Sequence, residues 1–178
     1  DYWVNGTLED LADLNPEVWP TRDRPSVLRY VDLSGTKWGR IGAVTDYPAD
    51  EAPSRAQRIL RPGDTIVGTV RPGNGSYALV TRDGLTGSTG FAQLRPRRPC
   101  DAVFVYLAAT ARANIDALAH LADGGAYPAV RPALVAATPV VVPDDRTLQE
   151  FSVAASPFLE RAALAIDESE ILAAMRDA

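Results

Sequence analysis

The last third of the chain constrains the fold most, because it sets out a helix, a turn, a strand and a second helix in a fixed order. An Ala- and Leu-rich stretch ends at Gly124-Gly125, and glycine is the usual residue just beyond the C-terminus of a helix. After a short turn, the apolar stretch Val135–Val142 predicts a buried strand that ends at Pro143. From Leu148 onward, apolar residues recur every three or four positions, which predicts a long helix.

The apolar residues of this final helix form a seam that is typical of helices packing against another helix. The seam consists of Leu148, Phe151, Ala155, Phe158 and Ala162, and Ile171, Leu172 and Met175 extend it. Pro157 interrupts the pattern and is expected to kink or restart the helix, with Ser156 as a candidate N-cap. Because the chain begins without Met and ends inside the helical pattern, we expect it to be part of a longer protein.

The first two thirds of the chain predict a β-rich domain with helices beside it. Helices are predicted over Leu8–Leu14, with Thr7 as a possible N-cap, and over Val103–Leu121. Strands are predicted over Val27–Leu33, Thr65–Val70, Ser76–Thr81 and Gly87–Leu94, whereas Ala49–Leu60 is expected to be helical or irregular. Pro-Gly turns precede the second and third of these strands, which predicts an antiparallel hairpin with Arg71–Gly75 at its tip.

These elements predict an α+β fold in which a twisted, mainly antiparallel β core is flanked by helices. A long, coiled-coil-like helical spacer is expected to follow that core. A length of 178 residues suits one domain of about 100–150 residues with an appendage. We therefore expect a domain over residues 1–145 and a helical segment over residues 146–178.

Charge is distributed unevenly along the chain, which as a whole has a net charge of −5. Residues 20–98 hold 12 Arg and Lys37 against seven acidic residues, a net charge of +6, whereas residues 99–178 have a net charge of −6. A basic part beside an acidic helical appendage is typical of a domain that faces nucleic acid. An Arg-rich composition produces the same asymmetry by chance in some proteins, so the distribution favours DNA binding without requiring it.

The side chains that most enzymes need are scarce in this sequence. His120 and Cys100 are the only residues of their types, which excludes a zinc cluster of recognised spacing. His120 stands near the end of a predicted helix, where the helix dipole favours a histidine without any catalytic role. The sequence contains no phosphate-binding glycine loop, nucleophile elbow or methyltransferase motif. It therefore predicts a non-catalytic protein that binds no metal or cofactor of its own.

The cysteine count and the hydropathy pattern bear on the cellular compartment. A single cysteine cannot form an internal disulfide, which favours a reducing compartment and hence the cytoplasm. The sequence has no run of about 18 apolar residues, so no membrane span is expected.

Short motifs follow one another over nearly the whole chain. They are Trp3 with Leu8–Ala12, Asn15-Pro16 with Pro20, Gly63–Val67, Arg71–Gly75, Gly124–Tyr127, Val140–Pro143, Gln149, Ala155–Leu159 and Glu168–Leu172. In this order they resemble one target-recognition domain and the start of the helical spacer of the DNA specificity (S) subunit of Type I restriction–modification systems. Each motif is short, and the specificity of the resemblance comes from their order.

The chain departs from this family in two respects. A complete S subunit has two such domains and two spacer segments, whereas this chain corresponds to one domain and part of one spacer. The family usually has a Pro-rich pair ahead of the spacer Gln, where this chain has Pro143-Asp144-Asp145-Arg146. The first difference leaves open whether the natural protein is a half-subunit or a two-domain subunit.

The resemblance implies that the chain recognises one half of a split double-stranded DNA site for the chemistry of other subunits. It implies methyltransferase subunits that carry S-adenosylmethionine and methylate adenine, and a restriction/translocase subunit that joins them for cleavage. It also implies that the spacer helix pairs in an antiparallel arrangement with that of a second target-recognition domain or of another copy of the chain. The pairing would set the distance between the half-sites.

Candidate DNA contacts are the polar residues of the predicted loops, because Arg and Lys bind phosphates or guanine and Asn binds adenine. They are Arg22, Arg24, Lys37, Arg40, Arg71 and Asn74, with Ser76 and Tyr127 as weaker candidates. For each arginine, a solvated surface charge or an ion pair is an equally good interpretation. For Trp38, a core position is favoured over stacking on a base.

Two other classes of function are alternatives to DNA recognition. A protein-interaction module without DNA contact agrees with the apolar helix seam and the acidic C-terminal third. A small hydrolase or transferase has little support, because the sequence offers no base paired with a nucleophile.

Overall fold

The computed structural model describes residues 3–20, 22–122 and 128–176. The strands are β1 (Val4–Thr7), β2 (Ala12–Leu14), β3 (Val27–Val31), β4 (Thr36–Lys37), β5 (Arg40–Ile41), β6 (Thr45–Pro48), β7 (Ala56–Leu60), β8 (Thr65–Gly68), β9 (Tyr77–Leu79), β10 (Leu85–Ser88), β11 (Phe91–Pro96) and β12 (Pro139–Val142). The α-helices are α1 (Ala102–Thr110), α2 (Arg112–Ala122), α3 (Pro132–Ala136) and α4 (Asp145–Arg176).

Two four-stranded sheets form the centre of the domain, in the orders β6-β3-β10-β7 and β2-β11-β8-β9. All pairs in them are antiparallel except β3–β10, which is parallel. A separate ribbon pairs β1 with β12, so that the start of the chain lies beside the segment leading into α4. The architecture is α+β with a long C-terminal helix, which confirms the predicted fold class.

The core has a helical side and a sheet side. The largest cluster joins the β2-β11-β8-β9 sheet to the helices through residues such as Leu94, Val105 and Ile115. A second cluster joins the two four-stranded sheets through residues such as Leu60, Ile66 and Phe91. Burial of these apolar side chains supplies most of the driving force for folding, at about 25 cal/mol for each Å² removed from water.

Two predicted elements near the N-terminus differ in the structure. Within Leu8–Leu14, only Leu8–Asp10 forms a helical turn, of the 3-10 type, which the Asp10 carboxylate closes by accepting a 2.8 Å hydrogen bond from the Thr7 N–H. Ala12–Leu14 is a strand, because it pairs with the edge of β11. Likewise, Ala56–Leu60 pairs with β10 and forms a strand where a helical or irregular segment was expected. Partners distant in sequence outweighed local propensity at both places.

Three longer predictions also need correction. The strand predicted over Gly87–Leu94 is two strands in different sheets, joined by a turn at residues 89–90. The helix predicted over Val103–Leu121 breaks at Ala111, whose ψ of 135° is extended, and α1 and α2 meet at a bend of 54°. The stretch Val135–Val142 begins within helix α3, and only its end is a strand, whose side chains are half-buried or exposed.

Helix α4 runs through Pro157 without interruption, so the predicted restart at Ser156 is wrong. Its N-terminus is capped by Asp144, whose carboxylate accepts hydrogen bonds from the Thr147 N–H at 3.0 Å and hydroxyl at 2.9 Å. The predicted cap at Gly124-Gly125 lies outside the described residues. No single helix in the described ranges is long and apolar enough to cross a membrane. The bent pair of α1 and α2 meets the length and composition criteria only when the two helices are taken together.

A buried carboxylate, Asp64, lies in the turn between β7 and β8 and joins that turn to β11. It accepts hydrogen bonds from the Gln93 amide at 2.6 Å, from the Arg95 guanidinium at 2.9 and 3.0 Å, and from the Arg61 N–H at 2.8 Å. Arg95 also pairs with Glu17, which in turn accepts two hydrogen bonds from Arg61 at 2.7 and 3.0 Å. The network compensates the burial of Asp64, which is 1% exposed.

This network makes part of the stability dependent on pH. Hydrogen bonds from Arg61, and then from Arg95, lower the pKa of Glu17 from 4.5 to about 2. Ionised Glu17 therefore contributes stability that is fully present above pH 4.5 and is lost as the pH falls toward 2. We expect Glu17→Gln to be less stable than the wild type at pH 7, with the difference shrinking between pH 4.5 and pH 2. Thermal melts at several pH values measure this; a difference that stayed constant down to pH 2 would contradict it.

Candidate nucleic-acid interface

The first component of the candidate site is the tip of the β8–β9 hairpin. The strands pair in register from Thr65↔Leu79 to Val67↔Tyr77, and a 3-10 turn at Pro72–Asn74 closes the connection. Arg71 and Gly75 flank that turn, and both have left-handed φ values, of 47° and 70°. The predicted hairpin, with Arg71–Gly75 at its tip, is therefore present.

The second component is the turn between β4 and β5. Trp38 and Gly39 occupy its two central positions, with φ values of 48° and 88°. Positive φ at both central positions is the signature of a type I′ hairpin, whose backbone twist matches that of its strands. Asn-Gly is the sequence most favoured in such a turn, so tryptophan at its first position is unusual.

Hydrogen bonds hold the two turns together. The Trp38 N–H donates to the Gly75 carbonyl at 2.7 Å, and the Gly39 N–H donates to the Tyr77 carbonyl at 2.9 Å. The Lys37 ammonium reaches the Asn74 carbonyl at 3.2 Å and the Ser76 hydroxyl at 3.4 Å. We call this pair of adjoining turns, residues 37–40 and 71–75, the twin-turn surface.

The Trp38 ring lies directly on Gly75. A methyl group added at Gly75 would be only 2.5 Å from a carbon of that ring, a separation that real side chains do not show. Gly75 thus meets two requirements, a left-handed backbone and space for an indole ring. Tyr77 packs edge-on against the same ring, with centroids 6.0 Å apart.

The structure brings four of the predicted contact residues together. Lys37, Arg40, Arg71 and Asn74 all belong to the twin-turn surface, and all four are exposed. Ser76 adjoins them but is buried, and its hydroxyl donates to the Leu33 carbonyl at 2.9 Å. Ser76 therefore lies beneath the two turns and does not present its hydroxyl to solvent.

The remaining predicted contacts lie elsewhere or outside the described residues. Arg24 is half-buried and donates a hydrogen bond to the Ala56 carbonyl, which attaches its loop to the start of β7. Arg22 is exposed on the same loop. Tyr127 falls in the segment that the structure does not describe.

The basic block seen in the sequence is partly neutralised by distant acidic residues. Arg61 and Arg95 pair with Glu17, and Arg97 pairs with Asp13 at 2.9 Å, although both acids precede the block. Arg98 pairs with Asp101 at 2.9 Å and with Asp145 at 2.7 Å, both of which follow it. A run of charge along a sequence therefore overstates the positive charge of the surface.

Trp38 corrects the sequence-based expectation of a core position, since 57% of its surface is exposed. The signal that sequence reasoning missed was the pair Trp38-Gly39 between short β-stretches, which marks a two-residue turn. For Gly75 the sequence indicates only a turn, because its contact with Trp38 depends on tertiary packing.

The helix seam predicted as a partner surface is divided in the structure. Leu148 is buried in the domain's own core, and Phe151 packs edge-on against Phe104 of α1 with centroids 6.4 Å apart. Ala155 is half-buried, and Ala162 is exposed at the rim of a cleft beside Trp38. The other members, Phe158, Ile171, Leu172 and Met175, are exposed, as are Val153 and Leu164.

Comparison with protein-family models and with curated proteins gives no match. Solved structures do match. The HsdS subunit from Thermoanaerobacter tengcongensis has a TM-score of 0.67 and 26% identity, over 98% of this chain and 45% of that chain. A second match comes from a structure that shows the structural basis of complex assembly and conformational transition of the type I R-M system. Its TM-score is 0.63 and its identity 26%, with the same coverage of both chains.

A third solved structure shares the fold alone, at 18% identity. It is the Type I restriction–modification S subunit from M. genitalium, with a TM-score of 0.56 over 99% of this chain and 44% of that chain. The chain thus spans slightly less than half the length of the proteins it matches, and the matched region includes both the β-rich domain and α4. The resemblance expected from the sequence motifs is confirmed by structure: the chain has the fold of one target-recognition domain with its spacer helix from the specificity subunit of Type I restriction–modification systems.

Proposed function

We propose that this chain recognises one half of a bipartite double-stranded DNA site as all or part of a Type I specificity subunit. The observation that carries the proposal is the structural match to HsdS over 98% of the chain, which includes the domain and the helix in one superposition. In this role the chain is non-catalytic and directs adenine methylation and restriction by partner subunits.

The twin-turn surface supports DNA contact by its chemistry. Lys37 and Arg71 supply positive charge for phosphates, and an exposed Arg or Asn side chain can form paired hydrogen bonds with guanine or adenine. Both turns are held by backbone hydrogen bonds, so their side chains are presented from a rigid base. Binding through phosphates implies an affinity that falls as the salt concentration rises.

Helix α4 supports the role of a spacer. Its residues Leu148, Leu159 and Ile166 face the domain, where they are buried or line clefts against it. At about 100° per residue, Val153, Leu164, Ile171 and Met175 lie within about 40° of one another on the opposite side. This exposed apolar stripe is the surface we assign to a second spacer helix, whether from another domain or another copy of the chain.

The remaining partners follow from the same role. Methyltransferase subunits carry the S-adenosylmethionine, and this chain binds no cofactor itself. A restriction/translocase subunit joins the complex for cleavage.

Methylome sequencing tests the proposal directly. The protein would be expressed with its methyltransferase subunit in a host that lacks the system, and the modified adenines mapped. We expect a new split motif, one half of which changes when residues 1–143 are exchanged for those of another specificity subunit. The half that changes would identify the bases this domain recognises.

A second candidate function is a protein-interaction module without DNA contact, which the exposed apolar stripe of α4 favours. An intact, assembled complex that produces no methylated motif would support it against DNA recognition. Retention of both half-motifs after the exchange of residues 1–143 would contradict the assignment of base recognition to this domain.

A further inference from the structure

Trp38 combines a strained backbone with an exposed aromatic side chain. Its φ of 48° is rare for any residue with a Cβ and rarer for a bulky one, and 57% of its surface is exposed to solvent. Asparagine would form the same turn with less strain and without exposing an apolar ring. The fold of the turn therefore does not account for tryptophan at this position.

The ring is nevertheless held firmly. It lies on Gly75 and against the edge of Tyr77, and the backbone N–H of Trp38 donates a hydrogen bond to the Gly75 carbonyl at 2.7 Å. One side of the indole is thus covered by the chain, while the rest is presented outward. A rigid aromatic group loses little conformational entropy on binding, which suits a contact residue.

The strained residues of this molecule, those with a positive φ that are not glycine, have two different roles. The described residues include three non-glycine residues with positive φ, namely Asn15, Trp38 and Arg71. Asn15 uses its conformation to exchange hydrogen bonds with the backbone of Gln93, at 2.8 and 3.0 Å, which joins two segments of the fold. Trp38 and Arg71 both lie on the twin-turn surface and extend exposed side chains, and strain of this second kind is characteristic of binding sites.

The neighbours of Trp38 indicate the chemistry of what it contacts. Lys37 precedes it in the turn, and exposed Arg71 and Asn74 lie on the adjoining one. An aromatic ring beside cationic groups fits a polyanion whose interior is apolar, with phosphates for the cations and a base or sugar face for the ring.

We propose that Trp38 is a direct DNA contact, which lays its indole ring against a base or deoxyribose while Lys37 and Arg71 bind flanking phosphates. The inference rests on the proposed function and adds to it a residue that reads the apolar surface of the duplex. A ring placed at a base step would also favour sequences that unstack easily.

The rival occupant is a protein. Trp38 lines a cleft of about 150 Å³ together with Tyr106 and the α4 residues Leu159, Ala162 and Ile166. A methyltransferase subunit seated in this cleft would cover the ring instead of DNA. The experiment must therefore distinguish the two partners.

Fluorine NMR makes this distinction. The protein is labelled with 5-fluorotryptophan, and the signal of Trp38 is assigned by its loss in Trp38→Phe. Unlabelled methyltransferase subunit is added first, followed by a duplex that carries the methylated motif. We expect the Trp38 signal to shift at the DNA step while that of Trp3, which is 60% exposed and directly precedes β1, does not. A shift at the methyltransferase step alone, or at neither step, overturns the proposal.

Affinity provides the second readout. In the assembled complex we expect Trp38→Ala to weaken DNA binding about 5- to 10-fold, in the range of lost aromatic–base contacts, and Trp3→Ala to leave it unchanged. A wild-type complex that bound no DNA would contradict the proposed function itself. If the wild type binds and Trp38→Ala binds equally well, only the role of Trp38 fails. A lower melting temperature with unaltered affinity would likewise show that Trp38 is structural.

Discussion

Replacing Asp64 with alanine is expected to destabilise the domain by about 3–5 kcal/mol, the usual cost of removing one partner from a buried charged pair. Asp64 is 1% exposed and accepts hydrogen bonds from Arg95, Gln93 and the Arg61 N–H. Without it, the 19%-exposed Arg95 side chain would retain, among the residues that the structure describes, its contacts with Glu17 and the Ile59 carbonyl. In a protein of this size the loss corresponds to about 6–20 °C in melting temperature.

Asp13→Ala is the matched control, because it breaks an ion pair of the same type at the surface. The Asp13 and Arg97 side chains are 55% and 51% exposed, and such pairs contribute only about 0–1 kcal/mol. Urea unfolding of both variants measures the two free energies. Equal losses in the two variants would show that burial of Asp64 is not what makes its network important.

Replacing Gly75 with alanine is expected to lower DNA affinity about tenfold or more, which corresponds to at least about 1.4 kcal/mol. The added methyl group would lie 2.5 Å from the Trp38 ring, and alanine disfavours the φ of 70°. The two turns would then separate, and the spacing of Lys37, Trp38 and Arg71 would be lost. Fluorescence anisotropy with a duplex carrying the methylated motif measures the affinity of the assembled complex.

Gly84→Ala isolates the cause. It imposes a similar backbone strain, since the φ of Gly84 is 75°, but its methyl group would meet nothing within 4 Å. We expect this variant to retain wild-type affinity. A loss in Gly84→Ala equal to that in Gly75→Ala would assign the effect to general destabilisation.

Features governed by residues close in the sequence were predictable. The β8–β9 hairpin follows from Pro-Gly turns between β-branched stretches, and its tip at Arg71–Gly75 is where turn chemistry placed it. The length of α4 follows from its three-and-four periodicity, although the effect of Pro157 was overestimated. Four of the candidate contacts could be named as loop residues for the same reason.

Features that depend on distant partners were not predictable. The segment Ala12–Leu14 is a strand because β11 offers it hydrogen bonds, although its local sequence favours a helix. Arg95 is neutralised by Glu17 and Asp64, which are far from it in sequence. The pair Trp38-Gly39 indicates a turn locally, but the packing of that turn on the β8–β9 hairpin depends on residues distant in the sequence.

By itself, then, the sequence determined the α+β class, the order of motifs, the β8–β9 hairpin and the long final helix, because turn chemistry and hydrophobic periodicity act over a few residues. Only the tertiary structure decided which face of α4 the domain covers, which arginines pair with acidic residues distant in the sequence, and which two turns adjoin. These outcomes depend on long-range packing and on the pairing of buried charge, which form only when segments distant in the chain meet.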